Sequence, residues 1–115
     1  MNIDLTKARI FIRPGTTDLR KAVNGLSIII EQQMSGEVFS GNVYLFCNKD
    51  RKLIKAIWWD KNGFWLNQKR VNKDRFPWPQ TAEAVQELKS DELSMLLTGI
   101  DFFKAHKELF YKKVS

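Results

Sequence analysis

The chain has 115 residues, 43% of them hydrophobic, and suits a single globular domain because smaller pieces would not bury a core unaided. One cysteine, Cys47, and one histidine, His106, exclude an internal disulfide and a Cys/His zinc site. The net charge is +6. The single cysteine fits a reducing cytoplasm, and no apolar run approaches the roughly 20 residues of a membrane helix, so we expect a cytoplasmic protein with no membrane contact and no cofactor.

The first elements predicted along the chain are a strand and a helix. Residues 8–13 alternate basic or aromatic side chains with Ala8, Ile10 and Ile12, which is typical of a half-buried strand that ends at Pro14. Helical spacing of apolar residues then predicts a helix over about 18–33, with Asp18 near its start.

Arg20 and Lys21 would lie in the first turn of that helix, where the helix dipole disfavours cations. Two explanations stay open. A bound phosphate would compensate the charge, since the free amides, the dipole and both side chains would act together. The alternative is an ordinary ion pair, with Asp18 or with a carboxylate such as Asp60 brought close by the fold.

The residue pattern in the middle of the chain predicts three strands. Residues 42–48 are apolar on both faces, so this strand should be central and Cys47 should be a small core residue. Residues 53–60 and 64–70 read as a hairpin around an Asn-Gly signal.

The register of that hairpin decides which side chains share a face. A bulged turn with Gly63 in the left-handed conformation would place Trp59 opposite Trp65 and Trp58 opposite Leu66. One face would then be apolar core. The other would carry an exposed Trp59–Trp65 pair flanked by Lys55 and Lys69, unless a second layer covers both indoles.

The last third predicts less regular structure. Residues 76–79 contain two prolines and should form an extended cover, and residues 84–88 could be a short strand. Ser90 should cap a helix with Asp91 and Glu92 in its first turn, and Gly99 should end it.

Positive charge is concentrated in the middle of the chain. Residues 49–75 hold nine basic residues against three aspartates and are interleaved with tryptophan, a composition typical of a polyanion-binding surface. A solvated face is the alternative, and the same aromatics would also suit a protein interface. The candidate nucleic-acid-binding residues are Arg20, Lys21, Lys49, Arg51, Lys52, Lys55, Trp59, Trp65, Lys69, Arg70, Lys73 and Arg75.

An enzyme would need a group of catalytic side chains, and the carboxylates within the basic region are Asp50, Asp60 and Asp74. Asp50 and Asp60 fall in predicted turns, where aspartates usually bond their own backbone, so a metal-dependent nuclease is disfavoured. We expect no catalytic residue, and no metal site.

The order of motifs resembles a known family. It is carried by Asp18-Leu19-Arg20-Lys21, by Phe39-Ser40-Gly41 leading into Val43-Tyr44-Leu45-Phe46, by Trp58-Trp59-Asp60, by Trp78-Pro79 and by Leu96-Leu97 with Gly99-Ile100-Asp101. The chain resembles the small TnpB-type accessory proteins of the IS-sixty-six family of bacterial insertion sequences. Ala22 departs from the glycine usual there.

The resemblance implies a non-catalytic role in transposition, beside a separate transposase and another element-encoded accessory protein. The basic residues and aromatics of 49–75, and not the resemblance, make DNA at the ends of the element the expected ligand. The elements predict an α+β fold: an antiparallel β-meander of about four to five strands packs against one main helix, with a short second helix near the C-terminus. The domain should span residues 1–103, followed by a basic tail over 104–115 with weak helical periodicity. An adaptor that contacts the transposase without binding nucleic acid is the alternative function.

Overall fold

Seven elements occur within residues 7–81 and 87–99, the part of the chain that the computed structural model describes. In chain order they are β1 (Ile10–Ile12), α1 (Val23–Gln33), β2 (Val43–Cys47), β3 (Leu53–Asp60), β4 (Gly63–Arg70), β5 (Glu87–Leu88) and α2 (Ser90–Leu97). They confirm the predicted α+β class with two helices. The predicted tail over 104–115, and most of the predicted strand over 84–88, lie outside the described residues.

The five strands form one sheet in the order β4-β3-β2-β1-β5. Of the predicted antiparallel meander of four to five strands, only β2, β3 and β4 follow one another as antiparallel neighbours, and β5 is antiparallel to β1. β1 is instead parallel to β2, because α1 connects them and returns the chain to the end of the sheet where β1 began. No helix of the described part is both long and apolar enough to cross a membrane.

Both faces of the sheet are covered, and this is why every residue of β2 is buried. On one face, Leu26, Ile29 and Ile30 of α1 pack in a cluster that includes Tyr44 and Ile57. The other face is covered by the segment 76–79 and by α2. Its cluster contains Ile10, Ile12, Val43, Leu45, Cys47, Ile54, Ala56, Trp58, Phe76, Trp78, Leu88, Leu93 and Leu96.

Cys47 is fully buried in this second cluster, which confirms its prediction as a core residue. The extended cover over 76–79 is confirmed as well. Phe76 and Trp78 are only 1% and 4% exposed, and the indole Nε1 of Trp78 donates to the carbonyl of Arg13 at 2.9 Å. Burying side chains of this size stabilises a fold by about 1.5–3 kcal/mol each.

α1 begins at Val23, five residues later than the predicted start at 18. The reason is local. The Asp18 carboxylate accepts a hydrogen bond from the backbone N–H of Arg20 at 3.0 Å, and the Asp18 carbonyl accepts one from Lys21. This side-chain-supported turn competes with helix formation, so Arg20 and Lys21 precede the helix instead of lying in its first turn.

The hairpin is formed as predicted, but the bulged register is wrong. Trp58 pairs with Trp65 and Trp59 pairs with Phe64, around a loop in which Lys61, with φ 54°, and not Gly63, has positive φ. The bulged register was favoured because it sorted apolar side chains to one face. β4 lies at the sheet edge, where most of its side chains stay exposed or half-buried, so that sorting acts only weakly on its register.

α2 begins one residue away from the predicted capping arrangement. Lys89, not Ser90, occupies the N-cap, and its backbone N–H donates to the Glu92 carboxylate at 2.8 Å. Asp91 and Glu92 lie in the first turn as predicted, where the helix dipole favours negative charge. Gly99 adopts φ 86°, which suits the predicted end of the helix.

Candidate nucleic-acid interface

Two basic segments lie side by side at one end of the sheet. The turn between β2 and β3 is held against the residues that follow β4. The N–H of Val71 donates to the Lys52 carbonyl at 2.9 Å, and the N–H of Phe76 donates to the Arg51 carbonyl at 2.7 Å. We call this region the basic end; its cations are Lys49, Arg51, Lys52, Arg70, Lys73 and Arg75.

Asn48 builds the turn that presents half of these cations. Its Oδ1 accepts hydrogen bonds from the N–H groups of Lys52 and Leu53 at 3.0 and 3.1 Å, a use of asparagine that is common in tight turns. Arg51 adopts φ 58° within it. Asn48 therefore holds the turn through two backbone amides, and no hydrogen bond from a basic side chain of the turn to another described residue contributes to it.

The two segments of the basic end carry an excess of positive charge. Its two segments, 48–52 and 70–75, hold six basic residues against Asp50 and Asp74. Among the described residues, side-chain ion pairs closer than 4.0 Å join only Arg9 to Glu87 and Arg20 to Asp18. Lys49, Arg70, Lys73 and Arg75 are exposed, and Arg51 and Lys52 are half-buried. A surface of this kind attracts polyanions.

Arg20 is engaged by a neighbour. Its guanidinium contacts the Asp18 carboxylate at 2.8 Å, and this hydrogen bonding holds the pKa of Asp18 well below its usual range. The ion-pair explanation is therefore confirmed for Arg20. Lys21 is exposed in the same segment, which reaches the basic end because the N–H of Thr17 donates to the Cys47 carbonyl at 2.8 Å.

Lys55 and Lys69 each donate a hydrogen bond to a backbone carbonyl of the protein. The Lys55 ammonium donates to the Leu19 carbonyl at 2.6 Å and ties β3 to the segment before α1. The Lys69 ammonium donates to the Leu97 carbonyl at 2.6 Å, at the C-terminal end of α2 where the helix dipole favours a cation. Both lysines therefore have structural contacts that the sequence pattern did not indicate.

Trp59 and Trp65 do not form a pair. They lie on opposite faces of the hairpin, so the predicted exposed pair flanked by Lys55 and Lys69 is wrong. Trp65 stacks on Trp58, with ring centroids 6.4 Å apart, and its indole Nε1 donates to the Asp60 carboxylate at 3.1 Å.

Trp59 belongs to an aromatic cluster at the other end of the hairpin. Its ring centroid lies 4.9 Å from that of Phe39 and 5.0 Å from that of Phe64. Six residues of strand separate this cluster from the basic end, a span of roughly 20 Å. The sequence pattern predicts that the cations and the aromatics share one surface, whereas the structure places them at opposite ends of the hairpin.

Phe39 is an exposed aromatic residue that the sequence analysis did not single out. It is 66% exposed, although it is a large aromatic side chain. It lies in the loop before β2, where there is no helical or strand periodicity to mark it. Its only signal was its place in the family motif.

The Asp60 carboxylate is hydrogen-bonded and the Cys47 thiol is buried. Asp60 accepts the Trp65 indole hydrogen bond, as a structural turn aspartate would. Burial raises the pKa of the Cys47 thiol to about 12, so the thiol is protonated at neutral pH. Within residues 7–81 and 87–99, no three His, Cys, Asp or Glu side chains are grouped so that they could hold a metal ion.

Fold and site together define a small α+β protein with one strongly basic end and one aromatic end. Comparison with protein families makes this specific: the chain belongs to the family described as IS66 Orf2 like protein, whose model matches residues 8–107. This confirms the resemblance noted in the sequence. It gives the chain an accessory role in the transposition of an insertion sequence.

Two similar proteins come from Sinorhizobium fredii. The uncharacterized protein y4hO is 32% identical over 94 residues, which cover 82% of each chain. The uncharacterized protein y4jC is 23% identical over 100 residues, covering 87% of this chain and 86% of its own. No solved structure matches the chain significantly.

Proposed function

We propose that this accessory protein is non-catalytic and binds DNA through phosphate contacts of its basic end, as part of a complex with the element's transposase. The observation that carries the proposal is the joining of the two basic segments by backbone hydrogen bonds, while their cations form no ion pair among the described residues. Cations that are not ion-paired within the described residues can replace the counterions of a nucleic-acid backbone.

The separation of charge from aromatics favours duplex DNA over single strands. Proteins that grip single strands combine cations with nearby aromatic faces on which bases stack. Here the Phe39–Trp59–Phe64 cluster is roughly 20 Å from the basic end along the strands. Phosphate contacts alone carry no base information, so we expect binding that depends weakly on sequence.

A salt titration tests this proposal. Affinity for a duplex from the element's end and for a random duplex of equal length would be measured by fluorescence anisotropy over a range of salt concentrations. We expect log affinity to fall linearly with log salt, by about 0.9 for each neutralised phosphate, with similar slopes for both duplexes. A flat salt response would contradict the proposal, and so would strong preference for the end duplex at high salt.

The non-catalytic part of the proposal has its own assay. The purified protein would be incubated with end DNA and magnesium, beside a preparation carrying Asp60→Asn. We expect no cutting by either, because Asp60 is engaged by the Trp65 indole. Reproducible cutting that the substitution abolishes would show that the protein is a nuclease.

A second candidate function is that of an adaptor, and the exposure of Phe39 favours it. Exposed aromatic side chains are frequent anchors of protein interfaces. The Phe39–Trp59–Phe64 cluster would then contact the transposase or the other accessory protein while the basic end stays free. Phe39→Ser would abolish capture of purified transposase and leave DNA affinity unchanged. Loss of both would indicate a fold defect, and loss of neither would exclude this surface.

A further inference from the structure

β4 is the longest edge strand of the described sheet. It has eight residues, whereas β5 at the opposite edge has two. Long edges offer unpaired backbone groups to another strand, and natural proteins usually guard them with charge, proline or bulges. Here basic residues guard only the second half of β4, at Lys69 and Arg70.

The backbone pattern shows which residues are available at this edge. The N–H of Val71 donates to Lys52 across the hairpin, and in an antiparallel ladder such bonding residues alternate. The odd-numbered residues of β4 therefore bond toward β3. The N–H and C=O groups that point away from the sheet are those of Phe64, Leu66, Gln68 and Arg70.

The side chains of β4 are polarised along the strand. Its first half holds Phe64, Trp65 and Leu66, and the last two are 42% and 37% exposed. Its second half ends with Lys69 and Arg70. A copy of β4 running antiparallel would place the apolar half of each strand against the basic half of the other. A parallel copy would set cation against cation.

We propose that two copies of this chain pair antiparallel through their β4 edges, about a two-fold axis at Asn67. Outward-pointing residues must face each other, so only registers that pair even-numbered residues are allowed. An axis at Asn67 pairs Phe64 with Arg70 of the second copy and Leu66 with its Gln68. With an axis at Leu66, the end of one β4 would have to pair with the loop that contains Lys61 in the other copy.

This register brings cations over aromatic rings. Phe64 and Arg70 share a face of β4, so each Phe64 ring lies opposite an Arg70 guanidinium across the interface. Trp65 lies opposite Lys69, whose ammonium already donates to the Leu97 carbonyl, so the Phe64–Arg70 contact is the one that favours this register. Contacts between cations and aromatic rings are favourable, and arginine makes them more often than lysine. A self-complementary patch of this kind is what a two-fold interface requires.

The arrangement also keeps the two basic ends apart. Arg70 lies three residues from the axis, so its two copies would be separated by about 20 Å along the strands. That exceeds the roughly 8–10 Å over which salt at physiological strength screens charge. The product is one continuous ten-stranded sheet with a basic end on each side. This pairing does not depend on the proposed DNA binding.

Molar mass measured by light scattering over a concentration series tests the pairing. We expect the full chain to approach twice 13.5 kDa as concentration rises. Gln68→Pro should hold it at the monomer mass, because proline removes an N–H that points away from β3 and leaves the hairpin ladder intact. Gln68→Ala keeps that N–H and should still dimerise.

Disulfide trapping tests the register without relying on proline. Directly opposed residues of a non-hydrogen-bonded pair have Cα atoms about 4.5 Å apart, which suits a disulfide. Asn67→Cys should therefore form a covalent dimer under mild oxidation, whereas Arg70→Cys, with its two copies about 20 Å apart, should not. Cys47 is fully buried and should not interfere.

Three results would overturn the proposal. The first is a monomer mass at every concentration, as would be found if another segment or protein already occupied the edge. The second is a dimer that Gln68→Pro leaves intact, and the third is a dimer in which Asn67→Cys fails to cross-link; both would place the interface elsewhere.

Discussion

Lysine side chains of this protein have distinct roles that depend on what lies within reach of the ammonium group. Lys55 and Lys69 bond to backbone carbonyls, at Leu19 and Leu97, and so hold elements together. Lys49 and Lys73 are exposed at the basic end. The sequence could show that all four are basic. It could not show which were engaged, because the carbonyl partners are 36 and 28 residues away in the chain.

Lys55→Met should therefore reduce stability more than DNA affinity. It leaves the carbonyl of Leu19, a buried residue, without its donor, and an unsatisfied buried polar group costs about 1–3 kcal/mol. Urea unfolding would measure this, with exposed Lys73→Met as the matched variant. We expect the reverse pattern for Lys73→Met: little change in the free energy of unfolding and weaker binding. Equal stability of the two variants would show that the Lys55 bond contributes nothing.

Glycine 36 has a packing role that can also be tested at single-residue scale. A Cβ at Gly36 would lie 2.7 Å from Cγ2 of Ile30 and 2.7 Å from the Tyr44 hydroxyl, whereas one at Gly63 would meet nothing within 4 Å. Gly36→Ala should lower the free energy of unfolding by about 1–3 kcal/mol through overpacking. Gly63→Ala should change it little. A harmless Gly36→Ala would mean that α1 and β2 can move apart at no cost.

At the scale of elements, the sequence predicted most of the strands and helices and failed on register. β2 is apolar throughout, so its central place in the sheet could be predicted. The apolar face of β3 could be predicted too, because Ile54, Ala56 and Trp58 share a face in the predicted register and in the observed one. β4 differs because it is an edge strand with mixed polarity, so neither face is strongly specified. The start of α1 was missed for another reason, since the Asp18 turn depends on a side-chain bond to the following backbone.

Double-mutant cycles can check the hairpin register. Phe39 and Trp59 are in edge-to-face contact, so Phe39→Ala and Trp59→Ala should couple by about 0.5–1.5 kcal/mol in free energy of unfolding. Trp59→Ala and Trp65→Ala should be additive within about 0.5 kcal/mol, because their rings lie on opposite faces. Strong coupling between Trp59 and Trp65, without coupling between Trp59 and Phe39, would contradict the observed register and support the bulged one.

At the scale of the whole molecule, the fold brings together residues that are distant in sequence and separates some that are close. The sequence interleaves cations and tryptophans over 49–75, which suggested one surface. The hairpin runs the length of the sheet, so its turn carries the aromatics to one end and its two open ends carry the cations to the other. The central claim is that the end with the cations binds DNA.

Two charge-matched double variants test that claim most directly. Lys49→Gln with Lys73→Gln removes two exposed cations from the basic end, and Lys7→Gln with Lys61→Gln removes two exposed cations elsewhere. Net charge falls equally in both, so only position differs. The measurement is the slope of log affinity for duplex DNA against log salt. We predict that the first variant loses about 1.8 from the wild-type slope, about 0.9 for each phosphate contact, while the second keeps it. Equal losses in both variants would contradict the claim, because binding would then follow net charge and not the basic end.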